Sequence, residues 1–124
     1  MSRPLIKQEL TFSGDAVTSG SKAYFPQSMR GQYVEWTLYV EFGTSTSAGK
    51  IQIETAFADD KTTPGLADYS GTWAPVGSTI DWAAATTQKY ASVTGVFDLL
   101  RANISTTVAN GPVTAYVIAA SHPA

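Results

Sequence analysis

The sequence predicts an all-β fold, an antiparallel, jelly-roll-like β-sandwich of about seven or eight strands. First, apolar and polar side chains alternate with a period of two in Gln32–Phe42, as expected for a strand with one buried face. Second, shorter stretches of the same kind recur along the chain, separated by turn residues. Third, no segment has the convincing periodicity of a helix. Such a pattern is typical of sandwiches and jelly rolls.

The stretch Gln32–Phe42 is predicted to be the central strand. Its inward side is predicted to carry Val34, Trp36, Leu38, Val40 and Phe42, and its outward side Tyr33, Glu35, Thr37, Tyr39 and Glu41. Burying the five inward side chains contributes on the order of 10 kcal/mol before the entropy cost is subtracted. A slip of one residue would turn two glutamates into the core, so the register is strongly set.

The first 25 residues contain two short candidate strands, Leu5–Phe12 and Lys22–Phe25. Residues 1–25 therefore form either an edge strand plus a hairpin of the same domain or an N-terminal arm that pairs with a neighbouring subunit. An unpaired strand edge readily recruits another chain, so both interpretations stay open. Residues 26–124 are predicted to form the sandwich core of what is a single domain.

The strand after the central one is predicted at Lys50–Ala58, following the polar loop Gly43–Gly49. Because that loop is short, the two strands are expected to pair with each other in antiparallel fashion. After a long, turn-rich loop, Trp73–Val76 and Ser78–Trp82 are predicted as a short broken strand pair around Gly77.

Three more strands are predicted in the C-terminal third, at Lys89–Phe97, at Asp98 to about Thr106, and at Val113–Ala120. Gly95 indicates a bulge or a close backbone approach within the first of them. Asn110 and the glycine that follows it are a strong hairpin signal before the last strand.

The composition argues against several classes of function. The net charge of −2 and the scarcity of charged residues, 15%, do not suit a nucleic-acid partner. The chain has no cysteine, which excludes disulfides, thiolate metal sites and cysteine nucleophiles. No apolar run approaches the roughly 20 residues that a membrane helix needs. Met1–Lys7 is too short and too polar for a secretory signal, so we expect folding in a cytoplasm and no membrane partner.

Candidate catalytic and metal-binding groups are few. The single histidine, His122, lies near the C-terminus, so a Ser-His-Asp arrangement is not expected. Three glutamates are predicted on one sheet face, where they are interpreted as a solvated surface rather than a glycosidase site: Glu35, Glu41 and Glu54. Asp59, Asp60 and Asp68 are interpreted as turn formers rather than calcium ligands. We therefore predict no enzyme, no cofactor and no metal site.

Aromatic residues give the clearest hint of a binding surface. Tyr33 and Tyr39 are expected on the wet face of the central strand, and Tyr69, Trp73 and Trp82 in or near the long loop. Such residues cap core edges, form protein interfaces or stack sugars, and the sequence leaves these three roles open. Arg101 lies within a predicted strand and requires a carboxylate or several carbonyls, in its own domain or across a subunit contact.

The C-terminal segment Val93–Ala120, VTGVFDLLRANISTTVANGPVTAYVIAA, resembles β-sandwich virion proteins of tailed bacteriophages. In both, a strand ending in an aromatic residue is followed by an LRANIS-type strand, a glycine-containing turn and a final alternating strand. The resemblance is greatest to capsid cement, or decoration, proteins. It carries over Phe97, Arg101, Asn103 and Gly111 as framework positions.

The resemblance implies a structural protein on the capsid surface of a virion, made in the host cytoplasm. Its partners would be the major capsid protein and further copies of itself in a homotrimer. The predicted contact residues are Arg3, Leu5 and Ile6 in the N-terminal segment and Tyr33 and Tyr39 on the central strand. A tail or neck component and a carbohydrate-binding module using Tyr33, Tyr39 and Trp73 are the alternatives.

Overall fold

The described residues form eight β-strands and no helix, which confirms the all-β prediction. The structure is a computed structural model, and it describes residues 5–10, 12, 18–25, 33–57, 72–83, 88–110 and 113–121. The strands are β1 (Leu5–Leu10), β2 (Lys22–Tyr24), β3 (Glu35–Phe42), β4 (Ala48–Ala56), β5 (Ala74–Asp81), β6 (Gln88–Thr94), β7 (Leu99–Ala109) and β8 (Val113–Ala120).

The strands form two four-stranded antiparallel sheets. The first has the order β1-β8-β3-β6 and the second the order β2-β7-β4-β5. In chain order, the first strand pairs with the last, the second with the seventh, the third with the sixth and the fourth with the fifth. This nested pairing over eight strands is the arrangement of a jelly roll.

Strands β3 and β4 do not pair with each other, so the prediction that they form an antiparallel pair was wrong. β3 pairs with β6 and β8 in the first sheet, and β4 pairs with β5 and β7 in the second. The loop between them is short, but in a sandwich a short connection can also cross from one sheet to the other. The alternation in both strands was predicted correctly, because it depends on a buried face and not on the identity of the neighbouring strand.

The core lies between the two sheets and is built from the inward side chains of both. From β3 it takes Trp36, Leu38, Val40 and Phe42, none more than 2% exposed. The second sheet contributes, among others, Ile51, Ile53, Ala102 and Ile104. Val34 precedes β3 and is only half-buried, so four of the five predicted inward residues of this stretch are in the core.

Both N-terminal strands pair with strands of residues 26–124. β1 adds to the edge of the first sheet beside β8, and β2 adds to the second sheet beside β7. Ala23 of β2 and Phe25 just after it are 0% and 2% exposed and belong to the same core. Residues 5–10 and 22–25 are therefore part of the sandwich in the single chain.

β5 is one strand with a bulge. The prediction of a broken pair of strands around Gly77 was therefore wrong. The pairing with β4 shifts register between Ile51 and Ile53. There the side-chain Nε2 of Gln52 donates to the carbonyls of Val76 and Gly77 at 3.1 and 3.4 Å. Gly77 has φ +72°, and a Cβ there would lie 2.8 Å from the Val93 side chain. A glycine is therefore required for the strand to continue through the bulge.

Gly95 makes the close backbone approach that the sequence indicated. A Cβ on this residue would lie 3.2 Å from the Phe97 ring. The Gly95 amide donates to the carbonyl of Val34 at 2.8 Å, and its carbonyl accepts from the indole Nε1 of Trp36 at 3.3 Å. These bonds attach the end of β6 to the start of β3 and satisfy the polar atom of a buried tryptophan.

Candidate interaction surface

Three tyrosines lie side by side across the outer face of the first sheet, and we call them the tyrosine row. Tyr39 of β3 stands opposite Tyr116 of β8 on one side and Tyr90 of β6 on the other. The Tyr39 and Tyr90 rings have centroids 5.6 Å apart and planes inclined by 36°. Tyr39 and Tyr116 are each 36% exposed and Tyr90 is 67% exposed. Adjacent exposed aromatic rings are typical of protein interfaces.

Strand alternation places these side chains outside. Tyr39 lies between Leu38 and Val40, which are both fully buried, so its own side chain must point away from the core. Tyr116 lies between Ala115 and Val117, which are also fully buried. Because β3 is flanked by β8 and β6, the outward tyrosines of three strands meet in one row.

One end of the row carries a positive charge. The ammonium of Lys7, on β1, lies 5.7 Å from the centroid of the Tyr116 ring, within the range of a cation–π interaction. An open depression of about 390 Å³ lies beside it and is lined by Lys7, Tyr39, Gln88, Tyr116 and Ile118. Tyr39 and Tyr116 therefore border a surface depression as well as belonging to an exposed aromatic strip.

A second cluster lies on the outer face of the other sheet and has the character of a structural unit. Arg101 donates to Glu54 Oε1, and its guanidinium carbon lies 4.1 Å from the centroid of the Trp73 ring. Tyr24 packs edge-on against Trp73, with centroids 6.0 Å apart, and Asn103 donates to the other carboxylate oxygen at 3.5 Å. The predicted partner of Arg101 is thus a carboxylate of its own domain.

A third feature is an apolar patch at one end of the sandwich. Phe57 and Val96 are 71% and 70% exposed and line a depression of about 380 Å³, together with the half-buried Phe97. Large exposed apolar side chains are common singly on protein surfaces, and two of them do not define a ligand.

The predicted contact residues of the N-terminal segment are only partly described. Arg3 lies outside the described residues. The backbone of Leu5 pairs with Ala120, and Ile6 is partly buried and packs against the core.

Tyr33 and Tyr39 do not share a face, which corrects the placement of Tyr33 on the wet face. Tyr33 is partly buried and packs edge-on against Trp36, with ring centroids 6.0 Å apart. The strand begins only at Glu35, so the alternation that holds within β3 does not extend to Tyr33. Tyr39 lies at the centre of the tyrosine row.

The three predicted carboxylates do not share a face either. Glu35 and Glu41 lie on the outer face of the first sheet, whereas Glu54 lies on the outer face of the second, because β3 and β4 belong to different sheets. Asp59, Asp60, Asp68, Tyr69, Gly111 and His122 lie outside the described residues.

The described part of the chain holds neither a metal-binding cluster nor a membrane-spanning helix. There, no three histidine, cysteine, aspartate or glutamate side chains are grouped so that they could hold a metal ion. Among the same residues, no helix has the length and apolarity needed to cross a bilayer.

The fold is similar to one found in a prophage protein. Over 98% of this chain and 96% of the other, the structure matches the crystal structure of the SPBc2 prophage-derived protein YomS, with a TM-score of 0.55 and 13% sequence identity. At this identity the likeness establishes a shared fold. Comparison of the sequence with protein-family models and with curated proteins gives no match.

Sequence reasoning found one member of the tyrosine row and missed the other two. Alternation within β8 predicts that Tyr116 points outward, since Ala115 and Val117 flank it. Alternation within β6 predicts the same orientation for Tyr90. What the sequence did not contain is the order β8-β3-β6, which brings the three side chains together. That order results from the long-range topology and not from any local pattern.

Proposed function

We propose that this chain is a structural protein of a tailed-phage virion, a cement protein that binds the outer surface of the head and bridges major capsid subunits. The tyrosine row carries the proposal. It offers exposed aromatic area on a rigid sheet, and aromatic residues are enriched at protein interfaces. Such a role depends on binding alone and involves no reaction and no cofactor.

Two further observations support a phage origin. The whole-chain likeness in fold is to a prophage-derived protein. Independently, the segment Val93–Ala120 resembles phage sandwich proteins, and three of its four framework positions make structural contacts within the domain; the fourth, Gly111, lies outside the described residues. Arg101 and Asn103 both bond to Glu54, and Phe97 packs against the core.

The mechanism would be stabilisation by repeated binding. One tyrosine row and its surroundings form a modest contact that gives weak affinity by itself. Three copies joined in a homotrimer would engage neighbouring capsid subunits together, so that the second and third contacts form at high effective concentration. The bound trimer would then oppose separation of the subunits that it bridges.

The experiment is to measure how many copies a virion carries and the mass of the purified protein. Quantitative mass spectrometry of virions from a phage encoding this chain should give a copy number in the hundreds, and light scattering should give a trimer. A copy number near that of a single ring, with a sixfold or larger assembly in solution, would instead indicate a tail or neck component.

A carbohydrate-binding module is the second candidate, because exposed tyrosines on a sandwich face also stack sugars. Trp73 is not part of such a sugar-binding face with Tyr39, because its ring packs against Arg101 on the other sheet. A glycan array read out with the wild-type chain and with Tyr39→Ala would decide the matter. Binding that is lost in the variant would favour this module over the cement role.

A further inference from the structure

We propose that Tyr39, Tyr90 and Glu41 form a binding site for an arginine or lysine side chain of the partner protein. The inference rests on the proposed function, because it specifies the chemistry with which the tyrosine row recognises a capsid protein. A basic contact segment on the partner protein is therefore expected.

The position of Glu41 relative to the row is the first argument. Glu41 lies two residues after Tyr39 on the same face of β3, and it stands opposite Gln88 of β6 and Thr114 of β8. It is therefore the diagonal neighbour of both Tyr90 and Tyr116, at a spacing of about 7–8 Å. A guanidinium or ammonium group lying on the Tyr39 or Tyr90 ring would be within reach of this carboxylate.

The charge balance of the face is the second argument. Among the described outward residues of the first sheet, the charged ones are Lys7, Glu9, Glu35 and Glu41, all exposed. Together these four described side chains carry one positive and three negative charges, which sum to −2. Glu41 makes no hydrogen bond or ion pair with a described residue, so its charge is available to a partner. A negatively charged aromatic surface favours a positively charged ligand.

The same chain already contains a filled version of this arrangement on its other sheet. There a carboxylate, Glu54, and an aromatic ring, Trp73, hold the guanidinium of Arg101 between them. On the first sheet the carboxylate and the rings are present, but no described residue supplies a cation to Tyr39 or Tyr90. The Lys7 ammonium lies over Tyr116, at the far end of the row. Among the described residues, Tyr39 and Tyr90 are therefore the tyrosines of the row that have no cation over their rings, and Glu41 lies beside them.

The test is a titration of the isotope-labelled protein, followed by NMR, with a short capped peptide of alternating glycine and arginine. The same peptide with glutamate in place of arginine is the control ligand. We expect the arginine peptide to shift the ring signals of Tyr39 and Tyr90 and the glutamate peptide to leave them unchanged. Glu41→Gln should raise the dissociation constant about threefold, and Tyr90→Ala should do so by a similar factor.

Glu35→Gln is the matched control variant. It removes the same charge from the same face of β3. The residues opposite Glu35 on the neighbouring strands are Ala120 and Thr94, and neither is a tyrosine. Its dissociation constant for the arginine peptide should equal that of the wild type. Equal weakening by Glu35→Gln and Glu41→Gln would overturn the proposal, because it would show attraction by the overall charge alone.

Other results would also contradict the inference. These are an absence of shifts with the arginine peptide, equal shifts with both peptides, or shifts of the same rings by an oligosaccharide alone. The peptide experiment uses no capsid. If the protein binds the arginine peptide at Glu41 but does not bind capsids, the cement role is disproved and the cation site stands. If it binds capsids but not the peptide, only the cation site is disproved.

Discussion

Arg101 Nε donates to Oε1 of Glu54 at 2.7 Å, and Nη2 of the same guanidinium lies 2.7 Å from that oxygen in an ion pair. The two residues stand directly opposite each other on β7 and β4. Their side chains are only 11% and 16% exposed, and the Trp73 ring lies on the guanidinium. Because so little water reaches the pair, removing one partner leaves the other poorly solvated.

The first prediction follows from this pair. Glu54→Gln keeps the shape of the side chain but removes its charge, so we expect a loss of about 2 kcal/mol in the free energy of unfolding. Glu41→Gln makes the same chemical change at an exposed position and should stay within about 0.5 kcal/mol of the wild type. Urea denaturation measures both. Equal stabilities for the two variants would show that the pair contributes nothing to the fold.

The second prediction concerns the two faces of β3. Leu38 is 0% exposed, so Leu38→Ala should cost about 3 kcal/mol through lost burial and the remaining cavity. Thr37 points outward and its hydroxyl bonds to that of Ser92 at 2.9 Å in an exposed position, so Thr37→Val should cost less than about 1 kcal/mol. Chemical denaturation gives both values, and a larger cost at Thr37 would contradict the register of β3.

The third prediction concerns the bulge in β5. Gly77 and Gly20 both have positive φ, at +72° and +94°, but a Cβ at Gly77 would meet Val93 whereas one at Gly20 would meet open space. Gly20→Ala should therefore cost about 1 kcal/mol for backbone strain alone. Gly77→Ala should cost about 3 kcal/mol, because a steric clash is added. If thermal or urea unfolding shows equal losses, the close contact with Val93 is not as described.

The fourth prediction separates binding from folding in the tyrosine row. Tyr90 is 67% exposed, so Tyr90→Ala should lower the stability by about 1 kcal/mol or less. The affinity of this variant for capsids should fall about tenfold, as expected when an aromatic residue that becomes buried in an interface is truncated. Thr94→Ala, an exposed change on the same strand, should leave both properties unchanged. Co-sedimentation with capsids and urea denaturation make the comparison, and wild-type affinity in Tyr90→Ala would exclude the row from the contact.

The local part of the fold could be predicted from the sequence because burial alternates within a strand whatever strand lies beside it. Trp36 and Leu38 had to point inward together, and so did Ile51 and Ile53. The sequence could not show that these two sets face each other from opposite sheets. A short loop is compatible with a hairpin and with a crossing between sheets, and only the global packing selects between them.

The candidate site was predictable only in part for the same reason. Tyr39 was assigned to the outer face because its neighbours on both sides are core residues. Tyr33 was misplaced because the regular strand starts after it. Tyr90 and Tyr116 join Tyr39 through the strand order of the first sheet, which depends on contacts between residues far apart in the chain.

The most direct test of the proposed role is an electron cryo-microscopy map of virions that carry this protein, compared with virions that lack it. We expect extra density at repeated positions of the capsid lattice, with Tyr39, Tyr90 and Tyr116 turned towards the capsid surface. Bare lattice positions with density only at the tail or neck, or a sandwich attached through its other sheet, would contradict the account.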